Sequence, residues 1–369
     1  MAPLRVAPAA LPLALAWTHE YPGAAPVAAA VSDGGWLVAG FADHLDIISI
    51  DTGERAGTLP LPSSRLACDA VICVAGNDHD VRAVDLARRA VRWQRAAPGP
   101  LAFDPTLRSG WVFLTTLDGH VAALRDTDGV TLWTYAAAAP LTGPPSIDGN
   151  RIAIATADSA ITLLDVATGR ALWSTTLTSG TPSAPKLGGG MIYVGTENRD
   201  LHFIRAADGR VRDTQRTGAA IAGAPALDEH LIYTGGQDGV LRAFDRGNGA
   251  LRWYADLPTR TADLGPVASP GVATIALRNG GFQVFLSDGD GKRPVVAVAP
   301  PGDGDSTVSL SVPPIIAAAG STLRLVTIAI SVGDESKWFA TVTASAPPLP
   351  ISGLPAKIPG LSLTLTAPR

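Results

Sequence analysis

Asp78, Asp118, Asp158, Asn198 and Asp238 stand 40 residues apart, and several have further metal-ligating neighbours. Asp43-His44, Asp78-His79-Asp80, Asp118-Gly119-His120 and Asp200 with His202 each bring carboxylate and imidazole together. Such donors hold divalent metals, and an acidic array would also attract a basic partner. The competing expectation is turn chemistry, because Asp and Asn side chains bond their own backbone in tight hairpins. A regular step through the chain fits turns better than it fits a single shared ion.

Other chemistry leaves no signature. There is no H-E-x-x-H, no G-K-[ST] phosphate loop and no G-x-S-x-G elbow. The glycine-rich stretches LGGGMIY and RNGGFQV precede strand-like runs rather than helices, so they do not read as phosphate cradles. Arg82, Arg125, Arg205 and Arg242 fall in or beside strands, where they are expected to cover apolar surface. Without a nucleophile, base and orienter, no catalytic, cofactor-binding or metal-binding residue is expected.

The elements that must carry these loops follow the same 40-residue step. Gly129, Gly169, Gly209 and Gly249 keep it; so do Pro105, Pro145, Pro185 and Pro225. Trp93, Trp133, Trp173 and Trp253 follow four residues after a turn, with Asp213 in the missing slot. Each unit holds four runs of β-favouring residues separated by Gly and Asp turns, as in PLTGPPSIDGNRIAIATADSAITLLDVATGRALWSTTL. Four antiparallel strands per repeat make one blade of a β-propeller. Pro lacks a ladder N–H and suits an inner edge strand; Gly suits a hairpin φ above zero; Trp covers a neighbouring blade.

The expected fold is therefore all-β: an eight-bladed β-propeller of four-stranded antiparallel blades, with seven blades as the alternative. Blades fall near 25–61, 62–99 and 100–139, then run to about 180, 219 and 260, with a weaker one near 261–304. Residues 306–346 offer three strands, VPPIIAAAG, TLRLVTIAI and KWFATVTAS. The missing fourth is expected from LALAWTHEYPG, so that the N-terminal strand joins the C-terminal blade and closes the ring. Residues 1–346 form the propeller and 347–369 a Pro-rich tail, in which LSLTLT could add a strand.

Composition narrows the partners. A net charge of -4 provides no basic field for nucleic acid. No stretch reaches the ~18 apolar residues of a membrane span. The N-terminus resembles a signal peptide superficially, but three prolines interrupt it and Trp17 lies on the repeat grid, so it is expected to stay. No Cys near the start could carry a lipid anchor, so the chain as written reads as cytoplasmic. Cys68 and Cys73 are expected as two buried thiols: with Asp69-Ala70 as the turn, Cys68 faces Val71 and a disulfide is not formed.

The segments LLDVATGRALW (163–173), ALRDTDGVTLW (123–133), AFDRGNGALRW (243–253) and AVDLARRAVRW (83–93) resemble the pyrroloquinoline-quinone (PQQ)-type, quinoprotein alcohol dehydrogenase-like propeller repeat. The resemblance covers residues 15–305 well and 306–346 loosely. It implies the fold, and one of three roles. Catalytic quinoproteins use PQQ with calcium but are longer and typically carry adjacent cysteines, which this chain lacks. Propeller lipoproteins of the outer-membrane β-barrel assembly machinery are similar in length, which implies a periplasmic or envelope setting. Other relatives are scaffolds. The expected function is a non-catalytic scaffold for protein–protein or ligand binding, as monomer or part of a complex. Partners would bind the loop face or an outer strand edge, and no cofactor is expected. A PQQ-dependent oxidoreductase is the alternative.

Overall fold

The computed structural model describes residues 26–257, apart from Asp33, Asp51, Ser179, Thr181 and Ala222, and the backbone of short strands on either side. Every regular element among the described residues is a β-strand. The chain divides into two compact units. One comprises Pro26–Asn198 with His202–Arg212; the other comprises Met1–Ala25, Arg199–Leu201 and Asp213–Arg369.

The third repeat shows the pattern. Thr106–Arg108, Trp111–Thr115, His120–Arg125 and Thr131–Ala136 pair antiparallel in chain order. Forty residues on, Ser146–Asp148, Arg151–Ala155, Ala160–Asp165 and Ala171–Thr176 do the same. The first repeat (Ala28–Ser32, Trp36–Gly40, Leu45–Ser49, Arg55–Leu59) and the second (Arg65–Cys68, Ile72–Gly76, Asp80–Asp85, Ala90–Ala96) match it. So do the fifth (Lys186–Gly188, Met191–Gly195, Asp200–Arg205, Val211–Arg216) and the sixth (Ala226–Leu227, Leu231–Gly235, Val240–Asp245, Leu251–Asp256).

The two middle strands of each repeat are buried on both faces, which is why they read as continuous apolar runs. Side chains alternate between two neighbours. Val112, Leu114, Ala122 and Leu124 pack with Ile72, Val74, Val81 and Ala83 of the preceding repeat. Phe113, Val121 and Ala123 pack with Ile152, Ile154 and Leu164 of the following one. Each buried aliphatic side chain contributes about 1.5–3 kcal/mol. A shift of one residue would swap every one of these partners.

The repeated Pro, Gly and Trp acquire definite work. Pro105, Pro145, Pro185 and Pro225 each immediately precede the first strand, which lies at the sheet edge. Gly129, Gly169 and Gly209 adopt φ of 70°, 67° and 72° in the outer hairpin. They also lie beneath a tryptophan: a Cβ at Gly169 would come 2.5 Å from Cε3 of Trp133. The indole N–H of that Trp donates to the carbonyl of Val166 at 2.7 Å; Trp93 reaches Asp126 at 2.7 Å and Trp173 reaches Ala206 at 3.0 Å. The tryptophans thus cover the next repeat as expected, with a directional bond added. The hairpin aspartate bonds its own turn, with the amide of Thr168 donating to Asp165 at 3.0 Å.

Three details differ from the sequence-based expectation. Cys68 and Cys73 form a disulfide. The turn is Ala70-Val71 rather than Asp69-Ala70, closed by the Asp69 amide on the Ile72 carbonyl at 2.9 Å. Moving the turn by one residue puts Cys68 directly opposite Cys73, with Cα atoms 4.0 Å apart. That is a non-hydrogen-bonded pair, where facing side chains come closest.

Beyond residue 305 the strand assignment shifts. Thr307–Ser311, rather than VPPIIAAAG, lies in the sheet with Val326–Ser331 and Trp338–Val342. Within the run VPPIIAAAG, Ile315–Ile316 pairs with Leu323–Arg324 in a separate two-stranded sheet. Thr18–His19 pairs antiparallel with Trp338–Val342 in the same sheet. The weaker repeat supplies its own sheet from Thr261–Ser269, Val272–Leu277, Phe282–Ser287 and Pro294–Val298. The third difference is an unexpected strand: Leu4–Val6 pairs parallel with Leu251–Asp256, making the sixth sheet five-stranded. The tail at 347–369, with LSLTLT, lies outside the described residues.

Candidate functional site

The hairpin between the second and third strands, which carries the acidic grid, is tied at both ends to the connections that enter and leave its repeat. In the third repeat, the Leu117 amide donates to the Pro100 carbonyl at 2.9 Å and the Ala137 amide to Gly119 at 3.0 Å. In the fourth, Ala157 reaches Pro140 at 2.9 Å and Leu177 reaches Ser159 at 2.8 Å. The sixth repeats this through Gln237 to Ala220 at 3.0 Å and Leu257 to Gly239 at 2.8 Å. Main-chain bonds of this kind do not depend on side-chain identity. The tips are therefore held rigidly while their side chains vary, which suits display to a partner.

The exposed tips carry Asp43, Asp78-His79, Leu117-Asp118, Ala157-Asp158, Glu197-Asn198-Arg199 and Gln237-Asp238. Their carboxylates mostly serve their own turn. The Thr116 hydroxyl donates to Asp118, as Thr156 does to Asp158 at 2.5 Å. The Thr116 hydrogen bond, then His120 beside it, holds the Asp118 carboxyl below the usual range. Asp238 pairs with Arg242 at 2.5 Å. In the second repeat the turn acceptor is Asn77, which takes the amides of His79 and Asp80 at 2.8 and 2.9 Å, leaving Asp78 exposed beside them. Among the described residues no three His, Cys, Asp or Glu side chains are placed to hold a metal ion.

The four arginines differ from expectation. Instead of simply covering apolar surface, each pairs with an aspartate in its own repeat. Arg82 meets Asp80 at 2.6 Å, Arg125 meets Asp128 at 3.5 Å, Arg205 meets Asp208 at 2.6 Å, and Arg242 meets Asp238. The sequence places a carboxylate two to four residues away in every case.

Two further acids lie outside the turn grid: Asp46, which is buried, and Asp104, which reaches the surface. Asp46 is fully buried, accepts the Thr58 hydroxyl at 2.5 Å and lies 3.2 Å from Arg55 Nε. Its neighbour His44 stacks on Phe41 and bonds Asp43 at 2.6 Å. Desolvation by its neighbours pushes the Asp104 carboxyl up even though the residue reaches the surface, and the Leu66 amide, at 3.2 Å, and the charge of Arg65 draw it back. The only signal in the sequence is a charge inside an apolar run, in LDIIS and LAFDP.

A third feature lies at the outer strand. An extra residue bulges immediately before the repeat tryptophan, at Arg92, Leu132, Leu172 and Arg252. Arg92 and Arg252 fold back on Asp85 and Asp245, at 3.1 and 2.5 Å. The Asp85 carboxyl is held low, chiefly by the Arg88 amide. At Asp245 burial works upward, but the Arg252 guanidinium and turn amides outweigh it and the carboxyl is held low. Leu132 and Leu172 have no such partner and are 42% and 50% exposed.

Four-stranded antiparallel blades stepping every 40 residues, closed by Trp on Gly, define a β-propeller of PQQ-like, WD40-like repeats. The family model for the outer membrane protein assembly factor BamB matches residues 77–188 and 162–345, and the chain belongs to that family. Solved structures share the fold. BamB from Moraxella catarrhalis is 16% identical, with TM-score 0.59, over 89% of this chain and 99% of its own. Sqt1 from Saccharomyces cerevisiae is 14% identical, with TM-score 0.69, over 89% and 99%. The computationally designed Ika8 is 14% identical, with TM-score 0.64, over 86% and 96%. Comparison with curated proteins finds no match.

Proposed function

We propose that this protein is a non-catalytic scaffold, an eight-bladed ring that binds protein partners through its tied hairpin tips during envelope protein assembly. The observation supporting this reading is the double main-chain anchoring of the tips in the third, fourth and sixth repeats, which holds them rigid for display. Membership of the assembly-factor family supports the setting. The Cys68–Cys73 disulfide supports an oxidising compartment such as the periplasm. Eight blades follow if the sheet containing Thr307–Ser311 takes its last strand from Thr18–His19, the pairing that would hide the final edge. Asp78, Asp118 and Asp158 make the tips acidic, so the partner surface is basic.

The test compares the intact protein with a variant carrying Asp78→Lys, Asp118→Lys and Asp158→Lys. Tagged protein is used to capture partners from an envelope extract, and those partners are identified. Loss of the specific partners in the variant is expected; an unchanged set overturns the loop-face reading. Incubation with PQQ and calcium is expected to leave no bound-quinone absorbance. Stoichiometric binding with dye reduction overturns the non-catalytic reading.

A further inference from the structure

Outer strands of most repeats are defended against pairing. Natural sheets protect their edges with charges, proline or a covering segment. The second repeat ends in AVRWQRA and the fifth in VRDTQR, each with charges along the strand. The sixth, LRWYAD, is both charged and covered, because Leu4–Val6 lies along it. The third and fourth end in TLWTYA and ALWSTT, with no charge and no proline. Their bulge residues are the exposed leucines 132 and 172, where the second and sixth repeats carry arginine.

The covered edge shows the mode of pairing. In the sixth repeat the Leu257 amide bonds the Gly239 carbonyl, so by alternation the main chain of Tyr254 turns away from the third strand. Tyr254 is the residue opposite Arg5 in the added parallel strand. The same alternation, set by Ala137 on Gly119 and Leu177 on Ser159, turns the main chains of Thr134 and Ser174 outward. Among the described residues, Thr131–Ala136 and Ala171–Thr176 have no second neighbouring strand.

We infer that the outer edges Thr131–Ala136 and Ala171–Thr176 are docking sites for an extended, uncharged segment of a protein partner, added as a parallel fifth strand. Thr134 and Ser174 occupy the place that Tyr254 has beside Leu4–Val6, and Leu132 and Leu172 supply the flanking aliphatic contact. This rests on the scaffold reading but uses a different surface from the acidic tips. Main-chain bonds would hold the segment, and the two leucines would select against charged strands.

The test uses the full chain and a capped synthetic hexapeptide, Thr-Val-Thr-Leu-Thr-Val, followed by amide hydrogen exchange. Slower exchange across 131–136 and 171–176 on adding the peptide is expected. The double variant Leu132→Glu, Leu172→Arg is expected to lose that protection. Each new charge is complementary to the residue ending its third strand, Arg125 or Asp165, as Arg92 is to Asp85. The variant therefore copies an arrangement that already folds in this chain. No protection, protection confined to other edges, or protection unchanged in the variant overturns the inference. Concentration-dependent dimerisation that the variant abolishes, without peptide uptake, also overturns it and assigns the edges to a second copy. The Asp-to-Lys tip variant separates the two readings: it should keep peptide uptake while losing extract partners.

Discussion

Three junctions between repeats are closed by tryptophan on glycine, whereas two others use different residues in the same slots. At Trp93/Gly129, Trp133/Gly169 and Trp173/Gly209 an indole lies against the glycine and bonds a carbonyl of the next turn. In the first repeat Gly57 stands where tryptophan would be, and Arg89 takes the glycine slot, its Cδ 3.1 Å from where a Gly57 Cβ would lie. The large and small partners have exchanged sides. After the fifth repeat, Asp213 faces Gly249 and is held by Gln215 at 2.9 Å.

The difference separates two reasons for the glycine. Arg89 has φ of 54°, so the hairpin tolerates a side chain in the left-handed region at a cost of about 1–2 kcal/mol. What it does not tolerate is a Cβ beneath an indole. Where tryptophan is present, its ring demands glycine opposite and the two act as one packing unit; Gly249, at φ 72°, is kept opposite Asp213.

The largest test of this contrast is Trp133→Ala, which removes the ring and its bond to Val166. A loss of about 3 kcal/mol is expected in urea unfolding, the low end of the cost of truncating a core aromatic, because Trp133 is partly buried. A loss no greater than that of an ordinary surface substitution would show that the indole is dispensable. Next comes a matched pair, Gly169→Ala and Gly57→Ala. The first pushes a Cβ into Trp133 at φ 67° and should cost about 2–3 kcal/mol; the second meets only the flexible Arg89 chain and should cost under about 1 kcal/mol. Equal costs would break the comparison. Smallest is Asp213→Trp, expected to stabilise by about 1 kcal/mol, within the range of single gains that natural proteins leave available. Its indole would reach for the Arg246 carbonyl, the counterpart of Val166. A lower unfolding midpoint would mean the polar junction is tuned to something other than packing.

Legibility followed locality. Asp165 in its turn, Gly129 at positive φ and the Pro before each first strand were readable because each acts within a few residues of itself. The same locality explains why Asp118 and Asp158 serve their own turns. The cysteine pairing is not legible in the sequence because register depends on which two residues make the turn, and a shift of one changes every cross-strand partner. Leu132 and Leu172 give no sign of exposure in the sequence, because a leucine in a strand ordinarily signals core; the bulge turns each outward.

By itself the sequence determined the all-β blade, its 40-residue step and the hairpin positions, since turn chemistry and alternating burial are short-range properties that repeat in phase. Tertiary structure decided the disulfide, the exchange of Gly57 with Arg89, the outward leucines and the parallel strand at Leu4–Val6. Each of these depends on residues brought together from different strands or repeats, and spacing along the chain carries no record of which neighbour a side chain will meet.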